Sequence, residues 1–66
     1  MTVLLNGRPR ELPDGATLAD LLERLGVPSH GVAVALDGAV VPRAAWPGTV
    51  VREGAAVEVL TAVQGG

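Results

Sequence analysis

The chain has 66 residues, a formal net charge of -2, no cysteine and 48% hydrophobic residues. This length allows one domain with a small aliphatic core, and the lack of cysteine excludes disulfides, thiol catalysis and cysteine-ligated metals. The weakly acidic composition and the lone tryptophan offer neither a basic surface for phosphates nor a stacking platform for bases, so we predict no nucleic-acid partner.

The first segment, "TVLLNGRPREL", has the pattern of a β-hairpin. Its centre is Asn6-Gly7, the dipeptide that best tolerates the positive φ angles of a type I′ turn. Pro9 lies in the returning strand and cannot donate a ladder hydrogen bond. We therefore expect the second strand at an edge of the sheet.

The next segment, "TLADLLERLG", changes to helical periodicity. Leucines recur at i, i+3, i+4 and i+7, which places them on one helix face and predicts that they belong to the core: Leu18, Leu21, Leu22 and Leu25. Thr17 is the predicted N-cap, Asp20 completes a variant of the capping box, and Gly26 is the expected glycine after the helix.

The second half of the chain contains another hairpin and a last strand. "VAVAL" and "AVV" flank the predicted turn Asp37-Gly38, whereas "PRAAWPG" is expected to be irregular because of its two prolines. "TVVREG" is compatible with a short extended piece. In the final "AVEVLTAV", alternation places Glu58, Leu60 and Ala62 on one face, without indicating which face is outward.

The resulting order is β-β-α-β-β-(loop)-β, and the four-leucine helix needs one apolar sheet face to cover it. We predict an α+β fold of the β-grasp, or ubiquitin-like, type, with one helix packed across a mixed sheet of four to five strands. The last strand is expected at the centre, beside the first. The predicted domain covers residues 1–63, and residues 64–66 form a flexible tail.

The side chains do not suggest an enzyme. The chain has no lysine, tyrosine or cysteine, its carboxylates lack metal-ligand spacing, and His30 is interpreted as an exposed loop histidine. Two terminal glycines alone are weak evidence in a chain with nine glycines. After a compact domain without catalytic residues, however, Gly65-Gly66 indicates a terminal carboxylate that another enzyme activates.

Three stretches carry a resemblance to a known family: "LLNGRP" with "GATLADLLERLG", "VAVALDGAVVPRAAW", and "VEVLTAVQGG". Together they cover essentially the full length, and the chain resembles the sulfur-carrier proteins of bacterial thiamine (thiazole) biosynthesis. The middle stretch is the most specific. Val41-Pro42-Arg43 followed by Trp46 is more similar to the thiazole branch than to the molybdopterin branch of the superfamily.

The resemblance implies a reaction cycle in which the protein is a co-substrate and binds no cofactor. A ubiquitin-activating-like adenylyltransferase uses ATP to adenylate Gly66. Sulfur from cysteine-desulfurase machinery converts it to a thiocarboxylate, and thiazole synthase accepts that sulfur. By the same resemblance, Gly65 is the residue that threads into partner active sites, and Gln64 lines the partner's channel.

Four residues are candidate partner contacts: Arg43, Trp46, Leu60 and Ala62. For Trp46 we favour the alternative that this aromatic side chain caps one end of the core. The N-terminal sequence has no signal peptide and no stretch is long enough for a transmembrane helix, so we expect a cytoplasmic monomer.

Other functions remain open on the sequence. The same terminal chemistry serves sulfur carriers for molybdopterin or tRNA thiolation, and a ubiquitin-like modifier would join Gly66 to a lysine. A β-grasp binding or regulatory module, which is a different class of protein, needs no free diglycine. One residue added after Gly66 would inactivate a carrier and leave a binding module unaffected.

Overall fold

The computed structural model describes residues 1–28 and 30–61. This part of the chain forms five strands, one α-helix and one 3-10 helix. The strands are β1 (Thr2–Leu5), β2 (Arg8–Glu11), β3 (Val32–Leu36), β4 (Ala39–Val41) and β5 (Ala56–Thr61), and the helices are α1 (Leu18–Leu25) and the 3-10 helix (Arg43–Gly48). The predicted α+β fold and element order are confirmed.

The strands form one mixed sheet in the order β2-β1-β5-β3-β4. Strand β5 lies at the centre beside β1, as the sequence predicted. It runs parallel to β1 and antiparallel to β3. Both hairpins are antiparallel, and β2, which contains Pro9, is an edge strand. The proline therefore lies at an edge of the sheet, where a missing ladder donor is tolerated.

The two hairpin turns have nearly the same backbone. Asn6 and Asp37 both have φ of 50°, and the glycines that follow, Gly7 and Gly38, have φ of 82° and 88°. Two consecutive positive φ angles define the type I′ turn, whose twist matches that of the flanking strands.

Helix α1 begins and ends as its sequence predicts. The Thr17 hydroxyl accepts from the Asp20 N–H at 3.1 Å, and the Asp20 carboxylate accepts from the Thr17 N–H at 3.0 Å, which completes the capping box. Gly26 ends the helix in the left-handed conformation at φ 71°. Of the four leucines, the first three are buried and Leu25 is partly buried against the core.

The structure differs from the sequence expectation between β4 and β5. Residues 43–48 are not irregular but form a 3-10 helix, because burial of Trp46 and the bond from its indole N–H to the Val41 carbonyl (2.9 Å) hold the turn in place. The expected extended piece at residues 49–54 is reduced to a single bridge between Thr17 and Val50.

The core lies between one face of the sheet and the layer formed by α1 and the 3-10 helix. Its fully buried members are aliphatic and come from every layer: Val3, Leu18, Leu21, Val34, Val51 and Val57. The other face of the sheet faces solvent. Within the described residues, no helix has the length and apolarity needed to span a bilayer.

Candidate functional site

Strand β5 leads from the centre of the sheet to the predicted tail. Its last residue is Thr61, so Ala62, Gln64, Gly65 and Gly66 lie outside the described residues. The tail boundary at residue 64 and the roles of these residues stay predictions. The structure does show the scaffold that precedes them.

Neighbouring strands hold β5 on both sides, but not to the same extent. On one side, β3 pairs along five residues, from Leu36 opposite Val57 to Val32 opposite Thr61. On the other side, β1 pairs only at Leu4 and Leu5. The first half of β5 is therefore held from both sides, whereas the ladder to β1 stops before the second half.

Alternation along β5 divides its side chains between the two faces. Val57 and Val59 are buried in the core, whereas Glu58 and Leu60 are exposed, Leu60 with 68% of its surface accessible. This answers the question that the sequence left open, because Leu60 points away from α1. By strand register, Ala33 and Val40 share this surface, which we call the open face.

A shallow depression lies at the end of the β3–β5 pair. It is lined by residues of β5, β3 and the preceding loop: Gly31, Val32, Ala33, Leu60 and Thr61. By alternation, Ala33 and Leu60 belong to the open face, whereas Val32 and Thr61 belong to the opposite face. The two open-face side chains are aliphatic, so they offer apolar contact near the end of the described part of β5.

Arg43 and Trp46 lie together on the 3-10 helix, but only one of them is exposed. The guanidinium Nη1 of Arg43 lies 3.1 Å from Nδ1 of His30. Trp46 is only 4% exposed and belongs to the core, which fits the packing interpretation favoured on the sequence. Its edge lines a groove with Leu22 and Val27 on the helix side, away from Leu60.

The capping box of α1 also changes the acidity of its own carboxyl group. Hydrogen bonds from Thr17, first from its backbone N–H and then from its side chain, lower the pKa of Asp20 below its usual 3.8. This shift belongs to the capping box of α1. Among residues 1–28 and 30–61, we find no group of three or more acidic, histidine or cysteine side chains placed to hold a metal ion.

Asn6 contacts β5 in a way that the sequence analysis did not anticipate. Its Oδ1 accepts from the Val59 N–H at 2.9 Å, and its Nδ2 donates to the Val59 carbonyl at 3.2 Å. Asn6-Gly7 signalled a turn, but no local pattern could connect it to a residue 53 positions away.

Comparison with known proteins places the chain in a family. The model of the ThiS family matches residues 3–66. The chain is 44% identical over 64 residues to the sulfur carrier protein ThiS of Thermus thermophilus, covering 97% of this chain and 98% of that protein. It is 30% identical over 66 residues to the sulfur carrier protein ThiS of Escherichia coli, covering all of both.

Solved structures agree with the sequence comparison. The crystal structure of the thiamine biosynthesis protein ThiS from Geobacter metallireducens superposes with a TM-score of 0.84 at 35% identity, covering all of both chains. The solution structure of a thiamine biosynthesis protein from the same organism gives the same TM-score and identity, covering all of this chain and 88% of that one. The chain therefore belongs to the ThiS family and has its ubiquitin-like β-grasp fold.

Proposed function

We propose that this protein is a sulfur carrier of thiamine biosynthesis and acts as a carrier rather than a catalyst. The observation that supports this most directly is the family match, which runs from residue 3 to residue 66 and includes the diglycine. The curated relatives that match along nearly their whole length are both named sulfur carrier proteins.

The proposed chemistry takes place at the carboxylate of Gly66. A terminal carboxylate has a pKa of roughly 3.5, so near neutral pH it is an anion that resists nucleophilic attack. In the first step, a carboxylate oxygen attacks the α-phosphorus of ATP on a ubiquitin-activating-like adenylyltransferase, and pyrophosphate leaves. A persulfide formed by cysteine-desulfurase machinery then displaces AMP, which gives an acyl disulfide at Gly66. A thiol reduces this disulfide by thiol–disulfide exchange, and the carrier is released with a terminal thiocarboxylate.

Glycine suits this chemistry for physical reasons. It has no Cβ, so the tail can pass through a narrow channel and its carbonyl stays open to attack. Residues 63–66 span roughly 13–14 Å when extended, which is enough to reach a buried active site while the folded body remains outside. In this proposal Gly65 threads into the partner and Gln64 lines the partner's channel.

The folded body is the part that partner enzymes bind. The adenylyltransferase and thiazole synthase must both reach the same tail, and the open face lies on the strand that leads to it. Leu60 is exposed there, and Arg43 is exposed on the 3-10 helix. We propose these two as partner contacts, together with Ala62. Buried Trp46 contributes by supporting the 3-10 helix.

Intact-mass spectrometry tests the chemical proposal. After incubation with the cognate adenylyltransferase, ATP and a sulfur donor, we expect one oxygen at the C-terminus to be replaced by sulfur. A variant with one alanine added after Gly66 is the control and should keep its mass. An unchanged mass of the wild-type protein, with a partner shown to be active on another carrier, would contradict the proposal.

The use of the sulfur for thiazole formation needs a separate test. We expect cells whose copy lacks Gly65-Gly66 to require thiamine for growth, and added thiazole precursor to restore growth. Normal growth without thiamine would exclude the thiazole role, while leaving terminal thiocarboxylate chemistry to be judged by the mass experiment.

A further inference from the structure

Each hairpin turn contacts the central strand through the side chain of its first residue. Asn6 in the β1–β2 turn binds both backbone groups of Val59. Asp37 in the β3–β4 turn accepts from the Ala56 N–H at 2.9 Å through its Oδ1. The two turns have matching φ angles, so one side chain can be compared directly with the other.

The contact of Asn6 begins where the parallel ladder ends. The backbone N–H of Asn6 donates to the Val57 carbonyl at 2.8 Å, and the turn then carries the chain away from β5. In a regular parallel ladder, the Val59 N–H would bond the carbonyl of residue 6 and the Val59 carbonyl would bond the N–H of residue 8. The Asn6 side-chain amide makes both of these bonds in place of the two backbone groups.

One turn has aspartate and the other asparagine because the backbone N–H groups of these two residues bond different residues of β5. The Asp37 N–H donates to the Ala56 carbonyl at 2.7 Å, so only an acceptor is needed from the side chain. The Asn6 N–H is already bonded to Val57, so Val59 needs both a donor and an acceptor. Asparagine supplies both, and it tolerates a positive φ better than most residues.

We infer that Asn6 is a positioning residue for the carrier tail. Its amide replaces the next two backbone hydrogen bonds of the β1–β5 ladder and holds the second half of β5 in line. The orientation of β5 up to Thr61, the last described residue before the tail, is thereby set by the sheet. This inference rests on the proposed function, because it assigns Asn6 a role in presenting Gly66 to a partner.

The matched pair Asn6→Gly and Asp37→Gly tests this inference. Both variants remove a side-chain bond to β5 at the same turn position, and glycine accepts the positive φ at each site. The rate of amide hydrogen exchange at Val59 measures how firmly β5 is held, and the rate at Val34 in the adjacent strand β3 is the reference. Carrier-dependent ATP–pyrophosphate exchange by the adenylyltransferase reports kcat and KM for presentation of the tail.

For Asn6→Gly, we expect exchange at Val59 to rise by roughly tenfold relative to Val34, because two hydrogen bonds are lost. We expect kcat to fall by roughly threefold to tenfold with KM changed less than about twofold, since the docking surface is intact and only the placement of the reacting group changes. Asp37→Gly should leave kcat within about twofold of the wild type, because it loosens the other end of β5.

The variant Asn6→Asp tests the donor of the amide. It keeps an acceptor for the Val59 N–H but places a carboxylate oxygen, in place of the donor, against the Val59 carbonyl, so its kcat should fall below that of the wild type. A purely structural effect on stability would instead lower the activity of the two glycine variants alike.

The possible failures are distinguishable. A kcat for Asn6→Gly equal to that of the wild type, or an equal loss for Asp37→Gly, would overturn the positioning role. If the wild type supports no ATP–pyrophosphate exchange, the proposed function falls. In that case, hydrogen exchange alone tests whether Asn6 holds β5 in place. Equal exchange rates at Val59 in the wild type and in Asn6→Gly would show that it does not.

Discussion

The indole of Trp46 is almost completely buried, and its one polar group is satisfied within the fold. The N–H donates to the Val41 carbonyl at 2.9 Å, so the 3-10 helix is tied back to the end of β4. A buried indole without a partner would carry the desolvation cost of an unpaired donor. Packing and hydrogen bonding therefore both favour tryptophan at this position.

Two substitutions at Trp46 separate these contributions. Trp46→Phe keeps most of the packing, loses the bond to Val41 and should lower the free energy of unfolding by about 1–2 kcal/mol. Trp46→Ala also leaves a cavity and should cost about 3–5 kcal/mol, enough to unfold much of a small domain. Urea denaturation followed by circular dichroism measures both. Equal losses in the two variants would show that the aromatic ring contributes little.

At the scale of the single element, α1 depends on its N-terminal cap. An eight-residue helix is too short to be stable alone, so it needs both burial of its leucines and satisfied N–H groups at its start. Thr17→Ala removes the hydroxyl that accepts from Asp20 and should lower the free energy of unfolding by about 1 kcal/mol, measured by urea denaturation. A change within error would mean that solvent replaces the cap.

The same cap predicts a pH dependence. Because the folded state lowers the pKa of Asp20, its carboxylate stabilises the fold fully above the unfolded-state value of 3.8. This stabilisation is lost as pH falls below 3.8 through the lower folded-state pKa. Asp20→Asn should flatten the dependence of the free energy of unfolding on pH in this acidic range. An unchanged slope in Asp20→Asn would contradict this contribution of the cap.

In the molecule as a whole, the two faces of the sheet have different surroundings. One face is covered by α1 and the 3-10 helix, and the other exposes Leu60 beside the end of β5. Substitutions on the open face therefore change what partners encounter without disturbing the core. A docking role for Leu60 can therefore be tested by the reaction of the protein with its activating enzyme, because substitution of Leu60 should change the free energy of unfolding little.

The variant Leu60→Ser tests that role, with Val50→Ser as the control at a second exposed aliphatic residue, in the segment before β5. Both should change the free energy of unfolding by no more than about 0.5–1 kcal/mol. We expect Leu60→Ser to raise the KM for the carrier in ATP–pyrophosphate exchange by roughly fivefold or more, and Val50→Ser to leave it unchanged. Equal KM values for the two variants would remove Leu60 from the docking surface.

Elements with local signals could be predicted directly from the amino-acid sequence. Asn6-Gly7 specifies its own turn, Thr17 and Gly26 mark the ends of α1, and the leucine spacing specifies the buried helix face. Each of these depends on φ preferences, capping bonds or periodicity within a few residues. The order of elements then led to the β-grasp fold, because one apolar helix needs one sheet face to cover it.

Features that depend on residues far apart in the chain became visible only in the folded protein. Alternation in β5 was visible, but the packing of Val57 and Val59 against the core is what turns Leu60 outward. The contact between Asn6 and Val59 exists because β1 ends where β5 continues, and no local pattern encodes where two distant strands stop pairing. The fold thus brings a turn residue from the start of the chain to the strand that precedes its last residues.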